Sequence, residues 1–158
     1  MKSITADPSL LAFCDALDCF VRQRFAYKAP LANWNWGSTV NVNRAKVHLY
    51  LRLCPPSRQL SGGWPEKTLV IAAIQFREQR TGHGRALLEF LVHQAARFGY
   101  DKIGVEETHD GDNIQGFVKK YGMEPAHADS DRPTAHWIAP VSRVAFCLDK
   151  TGPQRHAA

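Results

Sequence analysis

The sequence predicts a single α/β domain, and three observations carry that prediction. An apolar, β-branched run from Leu69 to Phe76 contains neither Gly nor Pro, and it reads as a strand buried on at least part of both faces. A Gly-containing segment, Gln79 to Arg85, follows almost at once. Next, Ala86 to Phe98 sets Leu87, Leu91, Ala95 and Phe98 on one helical face, with Arg85, Glu89, His93 and Arg97 as a polar stripe. Strand, Gly-containing turn and amphipathic helix thus follow one another directly.

The other elements follow in chain order. Asp7-Pro8-Ser9 is a start signal for a helix over about Ser9 to Tyr27, with Leu10, Phe13, Ala16 or Leu17, Phe20, Val21 and Phe25 at helical spacing. Pro30 ends it, and Leu31 to Gly37 reads as an aromatic turn-like loop. Val47, Leu49, Leu51 and Leu53 alternate with polar residues, which predicts a half-buried strand over Lys46 to Leu53. Cys54 to Lys67, with Pro55, Pro56, Gly62, Gly63 and Pro65, is an exposed connection. After the central helix, Lys102 to Val105 predicts a short strand and Asn113 to Tyr121 a helix. Asp112 and Gln115 resemble a capping box for that helix. Gly116 in its interior costs about 1 kcal/mol and suggests close approach of a ligand, a strand or a packed helix. Pro133 to Ala139 and Val141 to Leu148 read as a C-terminal strand pair.

Length and composition bound the function. The 158 residues, 44% hydrophobic and 22% charged, suit one core over residues 1–150, with 151–158 as a frayed tail. No run approaches the length of a membrane span, and the first residues lack a signal-peptide core. The four cysteines form no C-x-x-C pair and the seven histidines are scattered singly, so no metal is expected and the thiols read as buried and reduced. A cytoplasmic location is the expectation. The net charge of +5 is dispersed along the chain, without a basic-aromatic platform, so nucleic acid is not an expected partner.

The chemistry concentrates in the turn. A Gly-rich connection into a helix N-terminus exposes backbone N–H groups with no intrahelical partner, and these suit phosphate oxygens. A Rossmann fingerprint is excluded, because Leu87 stands where its third Gly would be, and no Gly-Lys-Ser or Gly-Lys-Thr makes a Walker loop. Gln79, Gly82 and Gly84 match the Q/R-x-x-G-x-G/A signature, and the segment resembles the GNAT superfamily of acyl-CoA-dependent N-acetyltransferases. The resemblance covers about residues 67–123. Gly116 to Met123 is similar to a Gly-aromatic-aromatic-Lys-Lys-x-Gly-Phe run in the histone-acetyltransferase branch.

The resemblance implies a mixed, mostly antiparallel sheet flanked by helices, with its central strands splayed apart. It also implies acetyl-CoA as cofactor and an amine as acceptor, whether a small molecule or a protein or peptide. Carried over by position, Ile74 and Phe76 would bond the pantetheine arm through the main chain. Gln79, Arg80, Thr81, Gly82, His83, Gly84 and Arg85 would surround the pyrophosphate, and Asn113 and Phe117 would touch the arm. Thr68 stands where the histone-acetyltransferase branch has its glutamate base, which leaves Glu66, Glu106 or Glu107, or a water relayed from one of them, as the candidate base, with His109 as another. Val118 stands where many members carry a thiolate-protonating tyrosine. Tyr121 follows Ile114, Phe117 and Val118 at core spacing and is expected to pack. A non-catalytic acyl-CoA binder on the same fold, or a basic interaction module, are the competing readings, and a homodimer stays open.

Overall fold

The computed structural model describes residues 7–35, 38–54, 64–79, 81–106, 111–126 and 136–151, the side chains of 111–113 excepted. The chain runs α1 (Pro8–Phe25), β1 (Ala32–Asn35), β2 (Thr39–Asn43), β3 (Val47–Cys54), β4 (Thr68–Phe76), α2 (His83–Phe98), β5 (Lys102–Glu106), α3 (Gly111–Lys120), β6 (Glu124–Pro125), β7 (His136–Pro140) and α4 (Val141–Lys150). The strands form one sheet in the order β1-β2-β3-β4-β5-β7-β6. Every neighbouring pair is antiparallel except β4 and β5. A mixed, mostly antiparallel sheet flanked by helices is therefore what the chain builds. None of the described helices is long and apolar enough to cross a membrane.

Alternation along the strands splits the core in two. Leu49, Leu51, Leu69, Ile71, Ile103 and Val105 join residues from all four helices in the larger cluster. Val70, Cys54 and Trp64 form a smaller cluster, with Ala126 and Ile138 packed on it. Trp64 is only 2% exposed. Its ring lies so close to Gly104 that a Cβ there would fall 2.4 Å from the ring, so this strand position has room for glycine alone.

α1 is capped by Asp7, whose Oδ1 accepts from the Ser9 N–H at 2.9 Å, and it ends at Ala26 in the left-handed region. Asp18 on this helix accepts the N–H groups of Leu31 and Ala32 at 2.7 and 3.0 Å, which ties the chain reversal to the helix. Burial alone would push the Asp18 carboxyl up, but those two N–H bonds and Arg22 outweigh it and hold it below the ordinary carboxylate value. A lowered folded-state value stabilises the fold above the unfolded value near 3.9, and the contribution fades as pH falls through the folded value. Asp18→Ala is therefore expected to cost about 1–3 kcal/mol at pH 7. In urea unfolding, the gap to the parent should narrow at pH 3. An equal gap at both pH values would contradict this assignment.

Four segments depart from the sequence reading. Cys54 to Lys67 is not exposed throughout, because Cys54 closes β3 at 0% exposure and Trp64 packs with it in the smaller core cluster. Leu31 to Gly37 is not a loop throughout, because Ala32–Asn35 pairs with β2 as the edge strand. The Asp18 anchor that holds it there is a long-range contact. Val141 to Leu148 is a helix, not the second strand of a pair. Val144 and Leu148 are buried four residues apart and Phe146 is 58% exposed, a helical and not an alternating pattern. Pro140 ends β7 and serves as the helix's N-cap residue. Gly116 is exposed with nothing within 4 Å of an added Cβ, so no strand or packed helix among the described residues closes on it. The helix containing it begins at Gly111, one residue ahead of the expected Asp112 cap, whose side chain lies outside the described residues.

Candidate functional site

The sheet is opened at one point, and the opening comes from a bulge. β4 pairs with β5 from Thr68↔Lys102 to Ile71↔Val105 and no further. At the same place the register with β3 slips, from Leu51↔Ile71 to Tyr50↔Ala73, leaving Ala72 as the extra residue. A bulge bends its strand and ends regular pairing. β4 then continues to Phe76 on β3 alone, so its edge toward β5 has no strand partner among the described residues. Ile74 and Phe76 lie on that stretch.

The turn after β4 delivers the chain to α2. Gly82 is the N-cap residue at φ 84°, a left-handed conformation that favours glycine. No side chain caps this helix and its first turn holds no acidic residue. The first bond closing the helix is Ala86 N–H to Gly82 O at 2.9 Å, so the N–H groups of His83, Gly84 and Arg85 precede the intrahelical ladder. A cleft of about 550 Å³ lies over these groups, lined by the end of β4, the turn, and α3 through Ile114, Phe117, Lys120 and Tyr121. Gly84 lets Phe117 close on the turn: a Cβ at position 84 would sit 2.8 Å from its ring.

Most of the sequence-chosen binding residues meet here. Ile74, Phe76, Gln79, Gly82, His83, Gly84, Arg85 and Phe117 line the cleft. Thr81 lies in the turn, its hydroxyl donating to Glu78 O at 3.3 Å. Arg80, the Asn113 side chain, Glu107 and His109 lie outside the described residues. The Arg85 guanidinium bonds Leu148 O and both oxygens of Thr151 at 2.7 to 3.1 Å and pairs with Glu89, so it secures the end of α4 while its stem borders the cleft. Gln75, Glu78, Ile114, Lys120 and Tyr121 also line the cleft and were not chosen from sequence. For Ile114 and Lys120 the signal was present, because they share a helical side with Phe117.

The candidate bases are dispersed. Glu66 is exposed in the turn before β4, and the strand rise places Thr68 about 26 Å from the Phe76 end. Glu106 ends β5, one residue beyond the last pair with β4. Its Oε1 accepts from Arg52 Nε at 3.1 Å and Trp64 Nε1 at 3.0 Å. The Thr68 hydroxyl, 0% exposed, donates to Pro65 O at 2.8 Å.

α1 contributes a residue that sequence reasoning missed. Arg24 reaches the turn, its Nε donating to His83 Nδ1 at 2.8 Å and its Nη2 to Thr81 O at 3.4 Å. Behind His83 lies a second recess of about 460 Å³, bordered by Arg24, Lys46, Arg77 and Glu78.

The thiols take no part in the cleft. Burial pushes Cys14 and Cys54 up to about 11, which leaves them protonated and weakly nucleophilic at neutral pH. Cys19 is exposed, against the expectation of burial. Among the described residues no group of three or more His, Cys, Asp or Glu converges as a metal site would require.

No family model and no curated protein matches the sequence. Solved structures similar to this chain include the GNAT domain of S. lividans PAT, 12% identical at a TM-score of 0.48, covering 82% of this chain and 86% of that one. The ribosomal-protein-S18-alanine N-acetyltransferase from Escherichia coli is 14% identical at 0.42, covering 88% and 92%. A CoA-dependent acyl-homoserine lactone synthase, BjaI, is 12% identical at 0.46, covering 90% and 82%. Likeness at this depth leaves the chemistry of the cleft to be argued from its own residues.

Proposed function

We propose that this chain is an acyl-CoA-dependent N-acyltransferase that moves an acetyl group from acetyl-CoA to a primary amine. One observation carries the reading: β4 leaves β5 at a bulge and runs, with one edge unpaired, into an uncapped helix N-terminus over a cleft of about 550 Å³. An unpaired strand edge offers N–H and C=O groups to an extended amide-containing arm. The uncapped amides offer charge-matched donors to a diphosphate. Acyl-CoA has both parts, joined in that order. Main-chain groups of Ile74 and Phe76 would hold the arm, and the amides of Gly82 to Arg85, with Gln79, Arg80 and Thr81 beside them, would hold the diphosphate. Asn113 and Phe117 would border the arm.

Acetyl-CoA supplies an activated thioester carbonyl. The neutral amine attacks it, the C–N bond forms, the C–S bond breaks, and the proton of the amine must pass to a base. Of Glu66, Glu106 and Glu107, Glu106 is favoured by its place just beyond the last β4–β5 pair. Arg52 and Trp64 fix its orientation through one oxygen. Glu106→Gln keeps an acceptor for both donors, so it is expected to retain acetyl-CoA affinity and lose turnover by about 10²–10⁴-fold. Glu66→Gln should turn over normally. Full turnover in Glu106→Gln, measured by thiol release, would move the base elsewhere.

A second reading, an acyl-CoA binder without catalysis, is favoured by the cleft itself. Glu78 is the one carboxylate lining it among the described residues, Thr68 is committed to Pro65, and Val118 is 0% exposed. Calorimetric binding of acetyl-CoA without thiol release across an amine panel would select that reading. Absence of binding would favour a basic interaction module. The closeness to the histone-acetyltransferase branch rests on the spacing of Gly116 to Met123 alone.

A further inference from the structure

Arg24 and His83 meet although 59 residues apart. A guanidinium has five N–H donors, no lone pair to accept with, and stays protonated in proteins. In the contact between Arg24 Nε and His83 Nδ1, the imidazole nitrogen must therefore be the bare acceptor. The single ring proton then resides on Nε2, and the ring is neutral. An imidazolium would set a second N–H against the guanidinium N–H. Phe25 and Phe76 pack on the ring at centroid distances of 4.6 and 5.2 Å, which limits its rotation. Burial and then Arg24 hold His83 below the ordinary histidine value, against the weaker opposing pull of Glu78. The other charged or titratable groups bordering it are Lys46 and Arg77 in the recess, and Arg85, Lys120 and Tyr121 across the cleft. Arg24 has no carboxylate partner among the described residues.

We propose that Arg24 is a positioning residue that locks His83 as a neutral Nε2–H donor to the anion held at the Gly82–Gly84 turn. The proposal rests on reading that turn as a diphosphate site. It adds a residue from α1 to the site and assigns His83 a fixed tautomer. A locked neutral donor grips the diphosphate equally across neutral pH, whereas an unlocked histidine gains a charge, and affinity, as pH falls.

The test uses nitrogen-detected NMR of the His83 ring and calorimetry with 3′-dephospho-CoA. This probe carries the diphosphate diester but not the phosphomonoester, whose second ionisation near pH 6 would obscure the profile. In the parent protein the ring is expected in the Nε2–H form from pH 8 to 6, with affinity changing less than about twofold. In Arg24→Met burial still opposes the charged ring but the like-charge neighbour is gone, so the ring should take up its proton at a higher pH than in the parent, and affinity should tighten about threefold over the same range. His83→Phe should weaken binding about tenfold at both pH values, the loss of one charge-assisted bond. An Nδ1–H or doubly protonated ring in the parent at pH 7 would overturn the proposal, as would unchanged affinity in His83→Phe or parallel pH profiles in parent and Arg24→Met. No binding of the probe by the parent would instead remove the diphosphate reading, and this proposal with it.

Discussion

Gly84→Val is expected to weaken CoA binding by about a hundredfold in a protein that still folds, the loss of one or two amide–phosphate bonds worth about 1.5–3 kcal/mol each. Position 84 lies inside the first turn of α2, so its backbone accepts an L side chain. The added Cβ falls 2.8 Å from the Phe117 ring, which must swing across the cleft or push the turn away from it. Gly82→Val should go further and abolish binding. Its φ of 84° strains any β-branched residue, so that variant also loses stability, and the two losses must be separated by urea unfolding. Retained affinity in folded Gly84→Val would show that the turn does not hold the ligand.

Tyr121→Ala is expected to destabilise the fold by about 3–5 kcal/mol, as for other buried aromatic truncations. The ring is 2% exposed and meets Phe117 edge-on at 5.3 Å, with the Lys120 ammonium 5.6 Å above it. Tyr121→Phe keeps the ring and should unfold at nearly the parent urea concentration with nearly full turnover. The residue borders the cleft as well as the core. A large loss of turnover in Tyr121→Phe, at unchanged stability and CoA affinity, would make its hydroxyl the acid that protonates the leaving thiolate.

Local chemistry made the central strand, turn and helix legible. Period-two alternation predicted β3, the apolar run predicted β4, and the helical stripe predicted α2. The turn was legible for the same reason, since two glycines between a strand and a helix mark a tight connection whose backbone can be closely approached. Long-range contacts decided the rest. The start of β1 is tied to α1 by Asp18, which accepts the N–H groups of Leu31 and Ala32, and nothing in Leu31 to Gly37 announces that partner. The bulge at Ala72 leaves no mark in a run of apolar residues, yet it opens the cleft. Arg24 lies with Arg22 in the last turn of α1, a place where a basic residue needs no further reason, so nothing in its sequence setting marks the contact with His83. The C-terminal segment misled because Val, Ala, Phe and Leu serve a strand and an amphipathic helix alike. Burial four residues apart at Val144 and Leu148 distinguishes them only once the sheet is in place.

The most direct test of the cleft as an acyl-CoA site is a backbone amide NMR titration of the parent protein with acetyl-CoA. The amides of Ile74 and Phe76, at the unpaired edge of β4, and those of Gly82 to Arg85 are expected to shift together and saturate at one concentration. Amides of β1 and β2, at the far side of the sheet, should stay in place. Saturable binding that leaves the Gly82 to Arg85 amides unmoved, or no binding at all, would contradict the assignment.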